Sequence, residues 1–428
     1  MWLLDKMLKA MIRKGRLTVT DHDGKVYLYG PGGGDGAEIA IRFTDPGAAM
    51  HVAKDPRVGA GEAYMDGRML IDPPADVRDF VLFVMGQARE QSVEMHAPSA
   101  FRRGMDWIVA KADQINLRTK ASSNVTHHYD LTREFYELFL DEDRQYTMAY
   151  FRDPANTLER AQVDKKALIA AKLHLDPSKS AGMRLLDIGC GWGGLGLYLN
   201  RHFGIEVLGV SLAPDQVKFA NERAEAAGVA DKVKFQLIDY RDVQGQFDRI
   251  TSVGMIEHVG APHFGEYFAK TRNLLAEDGV MLTHTIGRTG PPGTTDKWTR
   301  KYIFPGGYIP AMSELVAALE RTRWEVADIE VLRYHYGHTI AEWYRRTCLH
   351  EKEITALYDA RLFRMWQFYL AGAEQSFYHG SMVNFHILSV KQRGTLPMTR
   401  AWIEPEAARL SALDEAPKWH LDAAAGTG

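Results

Sequence analysis

From about Met183 onward the chain alternates short apolar strands with helices, and this alternation restricts the possible folds more than any other feature of its 428 residues. Arg184 to Ile188, Ile205 to Val210, Val233 to Leu237, Arg249 to Val253 and Val280 to Thr285 read as strands. Helices fall near Leu195 to Arg201, Pro214 to Ala227 and His263 to Leu275. Nearly continuous apolar strands separated by helices predict an α/β, Rossmann-like fold with a mostly parallel sheet covered on both faces. Any ligand should then bind outside the carboxyl ends of the strands.

The preceding residues have a different pattern. Met1 to Lys14 set Leu3, Leu4, Met7, Leu8, Met11 and Ile12 on one helical face, with Lys6, Lys9 and Arg13 opposite. This face either covers its own domain or rests on anionic lipid, and the first reading is preferred. Lys25 to Tyr29 and Glu38 to Phe43, parted by a Gly-rich turn at Gly30 to Gly36, suggest a hairpin in a small α+β unit. Helices are expected from Pro74 to Glu90 and from Ala100 to Ala112. The expected division is a small N-terminal domain over 1–115, a catalytic domain over 116–395 and a poorly packing tail over 396–428.

The first glycine-rich loop of the α/β region follows strand Arg184 to Ile188 as Gly189-Cys-Gly191-Trp-Gly193-Gly194, with a helix directly after it. Glycines there let the backbone turn sharply and approach a ligand closely. Alone, the pattern also suits a dinucleotide site or a plain tight turn. Asp187 precedes the first glycine, where an acid can act on a cationic cofactor. The Gly-x-Gly-x-x-Gly spacing of a nicotinamide site is absent, and the second strand ends at Val210-Ser211-Leu212 without the acid that would hold a ribose. Asp239, after the third strand, is placed to meet an adenine edge. The loop therefore reads as S-adenosylmethionine binding.

Further segments narrow the substrate: His128-Tyr-Asp-Leu131, Phe135 to Asp141, Gln145-Tyr-Thr-Met-Ala-Tyr-Phe151, Leu186 to Gly194, Ser252-Val-Gly-Met-Ile-Glu-His-Val-Gly260, His284-Thr-Ile-Gly287, Lys301 to Pro305, Tyr336 to Tyr344 and Phe385 to Val390. Together they resemble the cyclopropane fatty acid synthase and mycolic acid cyclopropane synthase family over roughly residues 120 to 392. Gly59 to Gly67 resembles the extra N-terminal domain of the phospholipid-acting branch. The resemblance implies a class I methyltransferase fold with S-adenosylmethionine and bicarbonate as cofactors. It also implies a reaction that adds a methyl carbon to a cis acyl double bond and closes a cyclopropane ring. Glu257, His284 and Tyr336, with backbone amides near Met148 and Ile286, are implied to hold bicarbonate. Tyr129, Tyr146, Thr147, Asp187, Gly189, Gly191, Ser211, Gln216, Asp239 and Tyr240 are implied to hold S-adenosylmethionine. The implied partners are an unsaturated phospholipid in the bilayer and a second copy of the chain, joined through the N-terminal domain.

Individual residues support this reading unequally. Glu257 follows the fourth strand and His284 lies near the end of the fifth, both at the expected crevice; a solvated helix-start acid and a satisfied core histidine are the structural alternatives. Tyr336 is singled out from Tyr334 and His335 by the resemblance alone, and His258 reads as a packing residue. His127 and His128 do not suggest a metal site, because adjacent histidines point apart and no third ligand completes a set. Phe363, Met365, Trp366, Phe368 and Tyr369 read as a core-facing helix. Gly287 to Pro310 is a candidate lid, whose Lys297, Arg300 and Lys301 could equally meet lipid phosphate or water. Family members commonly carry cysteine where this chain has Met148, which leaves a methyl-branched, uncyclised lipid as the alternative product.

A net charge of -3, from 52 basic and 55 acidic side chains, argues against a non-specific nucleic-acid binder. Cys190 and Cys348 form no zinc or disulfide pattern. Without a signal peptide or an apolar run of about 18 residues, a cytoplasmic enzyme peripheral to the inner face of the membrane is expected.

Overall fold

The computed structural model describes residues 1–33, 37–91 and 131–419. Packing divides the chain into two compact units, one holding residues 1–109, 296–303 and 340–380, the other 110–295, 304–339 and 381–428. The expected helix at Ala100 to Ala112, the polar run to Asn124, His127, His128 and Tyr129 lie outside the described residues.

The first unit contains strands β1 (Arg16–Thr20), β2 (Val26–Tyr29), β3 (Glu38–Phe43) and β4 (Met69–Ile71) in the order β2-β1-β3-β4. The expected hairpin is corrected here. β2 pairs antiparallel with β1, and β3 pairs parallel with β1, so the Gly-rich segment connects strands that never meet. The overlooked strand is β1, whose Leu17 and Val19 alternate into the core between more polar neighbours. In the helix Trp2–Met11 and its cap, Leu4, Leu8 and Ile12 are buried, so this stripe covers its own unit, while Trp2 and Leu3 stay exposed.

A continuous catalytic stretch over 116–395 is also corrected. The helix Ala360–Tyr378 packs on the helices Pro56–Met65 and Val77–Gln91, burying Phe363, Met365 and Trp366. The Arg78 Nε donates to Glu374 Oε2 at 2.7 Å in the same packing. Its aromatic stripe is therefore core of the first unit. Lys301 and Lys297 pair with Glu62 (2.6 Å) and Asp55 (3.7 Å), which satisfies charges considered for lipid phosphate.

The second unit is built on β5 (Arg184–Ile188), β6 (Glu206–Ser211), β7 (Val233–Leu237), β8 (Phe247–Val253), β9 (Leu275–Arg288), β10 (Glu325–Leu332) and β11 (Met382–Val390). Their order is β10-β11-β9-β8-β5-β6-β7, parallel from β9 to β7, with β11 antiparallel to both neighbours. All five expected strands are present. Apolar clusters cover both faces, one around Leu185, Leu199, Val207 and Leu282, the other around Leu186, Ile250, Phe268 and Met281.

The helix Leu158–Lys172 lies in the first of these layers with nearly every residue buried, including Gln162, Lys165, Lys166 and Lys172. Thr157 caps it by accepting from Arg160 N–H at 3.2 Å. Its outer side is covered by the helix Ile403–Leu413, where Ile403 and Ala407 meet Leu168 and Ala171. The tail was expected to pack poorly, but its Ile403, Ala407 and Leu410 recur at helical spacing and fill this groove.

Leu410→Ala should lower unfolding stability in denaturant titrations by about 2–5 kcal/mol. Met398→Ala, at a fully exposed residue, should leave the midpoint unchanged. Equal midpoints for Leu410→Ala and the parent would refute a structural role for this helix.

Candidate active site

At the carboxyl ends of β5, β6 and β8 the Gly-rich loop encloses a ligand-sized space. Gly189, Gly191 and Gly193 have φ of +81°, +52° and +81°, a region costly for L side chains. A Cβ on Gly193 would also stand 2.8 Å from Ala220 and Phe235. The Gly189 and Cys190 N–H groups donate to the Val210 carbonyl at 2.9 and 3.2 Å, pinning the loop to β6. The helix Gly194–Phe203 begins there.

The resulting cavity is about 790 Å³, a size suited to a nucleoside-bearing cofactor. Tyr146, Thr147, Asp187, Gly189, Gly191, Ser211, Gln216, Asp239 and Tyr240 all line it. Asp187 is buried, accepts from Thr251 Oγ1 at 2.8 Å, and has its carboxyl pushed up to about 6 by burial. Asp239 accepts the Arg241 N–H (3.0 Å) and its Nε (2.8 Å), so its carboxylate is already oriented. Phe304, Pro305 and Gly306, from the candidate lid, form part of the wall.

The sequence reading missed Lys165. Its ammonium donates to Gln145 Oε1 at 2.7 Å and Thr147 Oγ1 at 2.9 Å, and its side chain lines the cavity. Burial brings its pKa down to about 7. Gln162, one turn earlier, donates to the carbonyls of Gln145 (3.2 Å) and Thr147 (3.0 Å). The Gln-x-x-Lys spacing was visible, but on a helix with this many charges it suggests a solvated face.

Glu257 lies on a single 3₁₀ turn, Ile256–His258, directly after β8. Gly254, at φ +68°, makes the bend and donates to the His284 carbonyl at 2.9 Å. Glu257 Oε1 accepts the Ile286 N–H at 2.6 Å, whereas its buried Oε2 has no partner among the described residues. Burial pushes this carboxyl up to about 7. Its neighbours Met255 and His258 line the cavity, and Met148 follows the cavity residue Thr147. Met148 is fully buried. The segment after it is tied to the first turn of the helix His335–Leu349 by Ala149 N–H to Thr339 Oγ1 (2.9 Å) and Phe151 N–H to His335 Nδ1 (3.1 Å); the adjacent Tyr336 is buried.

Two expectations change. The Ile286 amide, expected to face a bound anion, holds Glu257 instead. His284 is not an open ligand group, because His386 Nε2 lies 2.8 Å from its Nδ1 and Asn384 Nδ2 lies 3.2 Å from its Nε2. Burial, with Lys165 and Lys172 nearby, lowers its pKa to about 3, so the ring is neutral.

Residues 116–387 match the family model described as mycolic acid cyclopropane synthetase. The chain belongs to this family. It is 38% identical over 391 residues to a "Probable fatty acid methyltransferase" of Pseudomonas putida, covering 88% of this chain and 93% of that protein. It is 36% identical over 343 residues to the "Cyclopropane-fatty-acyl-phospholipid synthase" of Escherichia coli K12, covering 80% and 85%. Among solved structures, mycolic acid cyclopropane synthase CmaA1 complexed with SAH and CTAB matches with a TM-score of 0.59 and 29% identity, covering 63% of this chain and 97% of that one. This member of the mycolic acid cyclopropane synthetase family is an S-adenosylmethionine-dependent methyltransferase with a class I fold.

Glu257 ionises near 4.5 when exposed and near 7 in the fold, so wild-type stability falls as pH rises through that window. Glu257→Gln escapes this loss. Its melting temperature relative to wild type should therefore be higher at about pH 8 than at about pH 5; a constant difference would show that the carboxylate ionises without penalty.

Proposed function

We propose that this methyltransferase adds the methyl carbon of S-adenosylmethionine to the cis double bond of an unsaturated acyl chain in membrane phospholipid, forming a cyclopropane ring. The observation that carries the reading is Glu257: a carboxyl near neutrality, buried beside the cofactor cavity, with Oε1 fixed and Oε2 unpartnered. Relatives named for fatty-acyl substrates support the choice of substrate.

When bound, S-adenosylmethionine supplies an electrophilic methyl group, and bicarbonate supplies a base. The residues fit both. Tyr146, Thr147, Asp187, Gly189, Gly191, Ser211, Gln216, Asp239 and Tyr240 surround a cavity large enough for the cofactor, and Tyr129 completes the proposed set. Asp187 offers negative charge toward a cationic ligand. Protonated Glu257 can donate from Oε2 to an anion, which removes the repulsion an ionised carboxylate would exert. The Tyr336 hydroxyl and the Met148 amide are the further proposed donors, and neutral His284 supports the site through Asn384. An alkene is a weak nucleophile, so the side chains must hold it in line and keep water from trapping a carbocation as an alcohol.

A methyl-branched, uncyclised product is the second reading. It is favoured by the fully buried Met148 thioether, which fills the position where the family commonly has cysteine. In both readings the protein works peripherally at the inner face of the cytoplasmic membrane. The exposed Trp2 and Leu3 beside Lys6 suit such a surface. Among the described residues no helix is long and apolar enough to cross a membrane.

Incubation with S-adenosylmethionine, bicarbonate and liposomes of cis-monounsaturated phospholipid should yield acyl chains of unchanged length that have gained one carbon at the former double bond and resist hydrogenation. A one-carbon gain that still hydrogenates identifies the branched alkene. No lipid product, with methylation of small amines instead, overturns the assignment. Glu257→Gln should lower turnover about 100-fold or more while cofactor affinity changes by less than about threefold; unchanged turnover would remove Glu257 from the site.

A further inference from the structure

Behind His284 runs a buried chain of polar side chains that no step above uses. His284 on β9 and His386 on β11 are directly paired across the sheet, and both are buried. His386 Nε2 is 2.8 Å from His284 Nδ1, and its Nδ1 is 2.9 Å from Lys172 Nζ. Lys172, also fully buried, donates to Glu330 Oε2 at 2.6 Å, and Glu330 lies opposite His386 on β10. At the other end, Asn384 stands opposite Ile286, the residue whose amide holds Glu257.

The chemistry of these groups sets the direction of each bond. A lysine ammonium only donates, so the Nδ1 of His386 must accept. Neutral His386 then carries its proton on Nε2 and gives it to the Nδ1 of His284. Neutral His284 is left with its own proton on Nε2. The Asn384 amide completes the sequence when its oxygen faces that proton, which also satisfies an Oδ1 otherwise without a partner. The tautomer of one imidazole is thus dictated by an ion pair two residues away.

We propose that Lys172 and His386 are positioning residues that lock His284 as the Nε2–H tautomer, so that His284 donates to Asn384, which stands opposite Ile286, and cannot act as a base at the Glu257 end of the strands. This rests on the reading that His284 belongs to the reaction site. It adds that its role is set from behind by residues that touch no ligand.

The tautomer can be read without any activity, from the ¹⁵N shifts of ring nitrogens in full-length protein labelled at histidine, with the His284 signals identified by their loss in His284→Gln. Wild type should show a protonated Nε2 and an unprotonated Nδ1 at His284; a proton on Nδ1 overturns the proposal. His386→Gln can still accept from Lys172 and donate to His284, and should keep both the tautomer and turnover within about threefold. His386→Leu and Lys172→Met should lose the fixed tautomer and roughly 10- to 100-fold of turnover, with cofactor affinity unchanged. An intact tautomer in His386→Leu, or equal losses in His386→Gln and His386→Leu, also overturns it. If wild type shows the tautomer but methylates no lipid, the functional assignment fails and the hydrogen-bond order stands.

Discussion

The second unit depends on the burial of charged groups along one helix. Leu158–Lys172 lies between the sheet and the helix Ile403–Leu413 with Lys165, Lys166 and Lys172 almost entirely out of water. An ammonium removed from water without partners costs several kcal/mol, so each lysine fixes whatever neutralises or accepts from it. Lys165 fixes Gln145 and Thr147, Lys166 holds Asp143 at 2.6 Å, and Lys172 holds Glu330 and His386. These partners are the wall of the cofactor cavity, a carboxylate packed beneath the Gly-rich loop, and the support behind His284. The aliphatic contacts of the helix with the sheet stabilise the fold, and its charged residues organise the site.

The same dryness governs the chemistry. Asp187, Lys165 and Glu257 are pushed to about 6, about 7 and about 7, each mainly by burial. Groups that in water would be fully charged at neutral pH can here be held close to neutrality. This suits the proposed reaction, in which the interior accepts a cation, stabilises an anion and excludes water. The short Glu257 to Ile286 bond fixes Oε1 without neutralising the carboxyl, so Oε2 remains a buried polar atom with no hydrogen-bond partner among the described residues.

Much of this was readable before the structure, for a physical reason. The parallel strands are buried on both faces and therefore appear as apolar runs, and the left-handed turns at Gly189, Gly191 and Gly193 require glycine. Those two signals placed the sheet and the loop, whereas Tyr146, Thr147, Ser211, Gln216 and Tyr240, which line the cavity, were named by the family resemblance. Features set by long-range packing were not readable. β1 was overlooked, and β2 and β3 were wrongly paired, because strand order depends on contacts that alternation does not encode. Lys165, Lys172, Asn384 and His386 were missed because polar side chains on a helix or strand suggest solvent until the covering layer is known. The helix Ile403–Leu413 was taken for loose tail for the same reason. The roles of the Ile286 amide and His284 changed because both are satisfied within the protein.

The central claim is that Glu257, buried and nearly neutral beside the cavity, serves the loss of a proton from a newly transferred methyl group. It is tested most directly with S-adenosylmethionine whose methyl carbon carries three deuterons, cis-monounsaturated phospholipid liposomes, and mass analysis of the product chains after hydrogenation. The account predicts an added carbon that keeps two deuterons, in a chain that takes up no hydrogen. A product that keeps all three deuterons would contradict it, because the methyl group would then have moved without ever losing a proton.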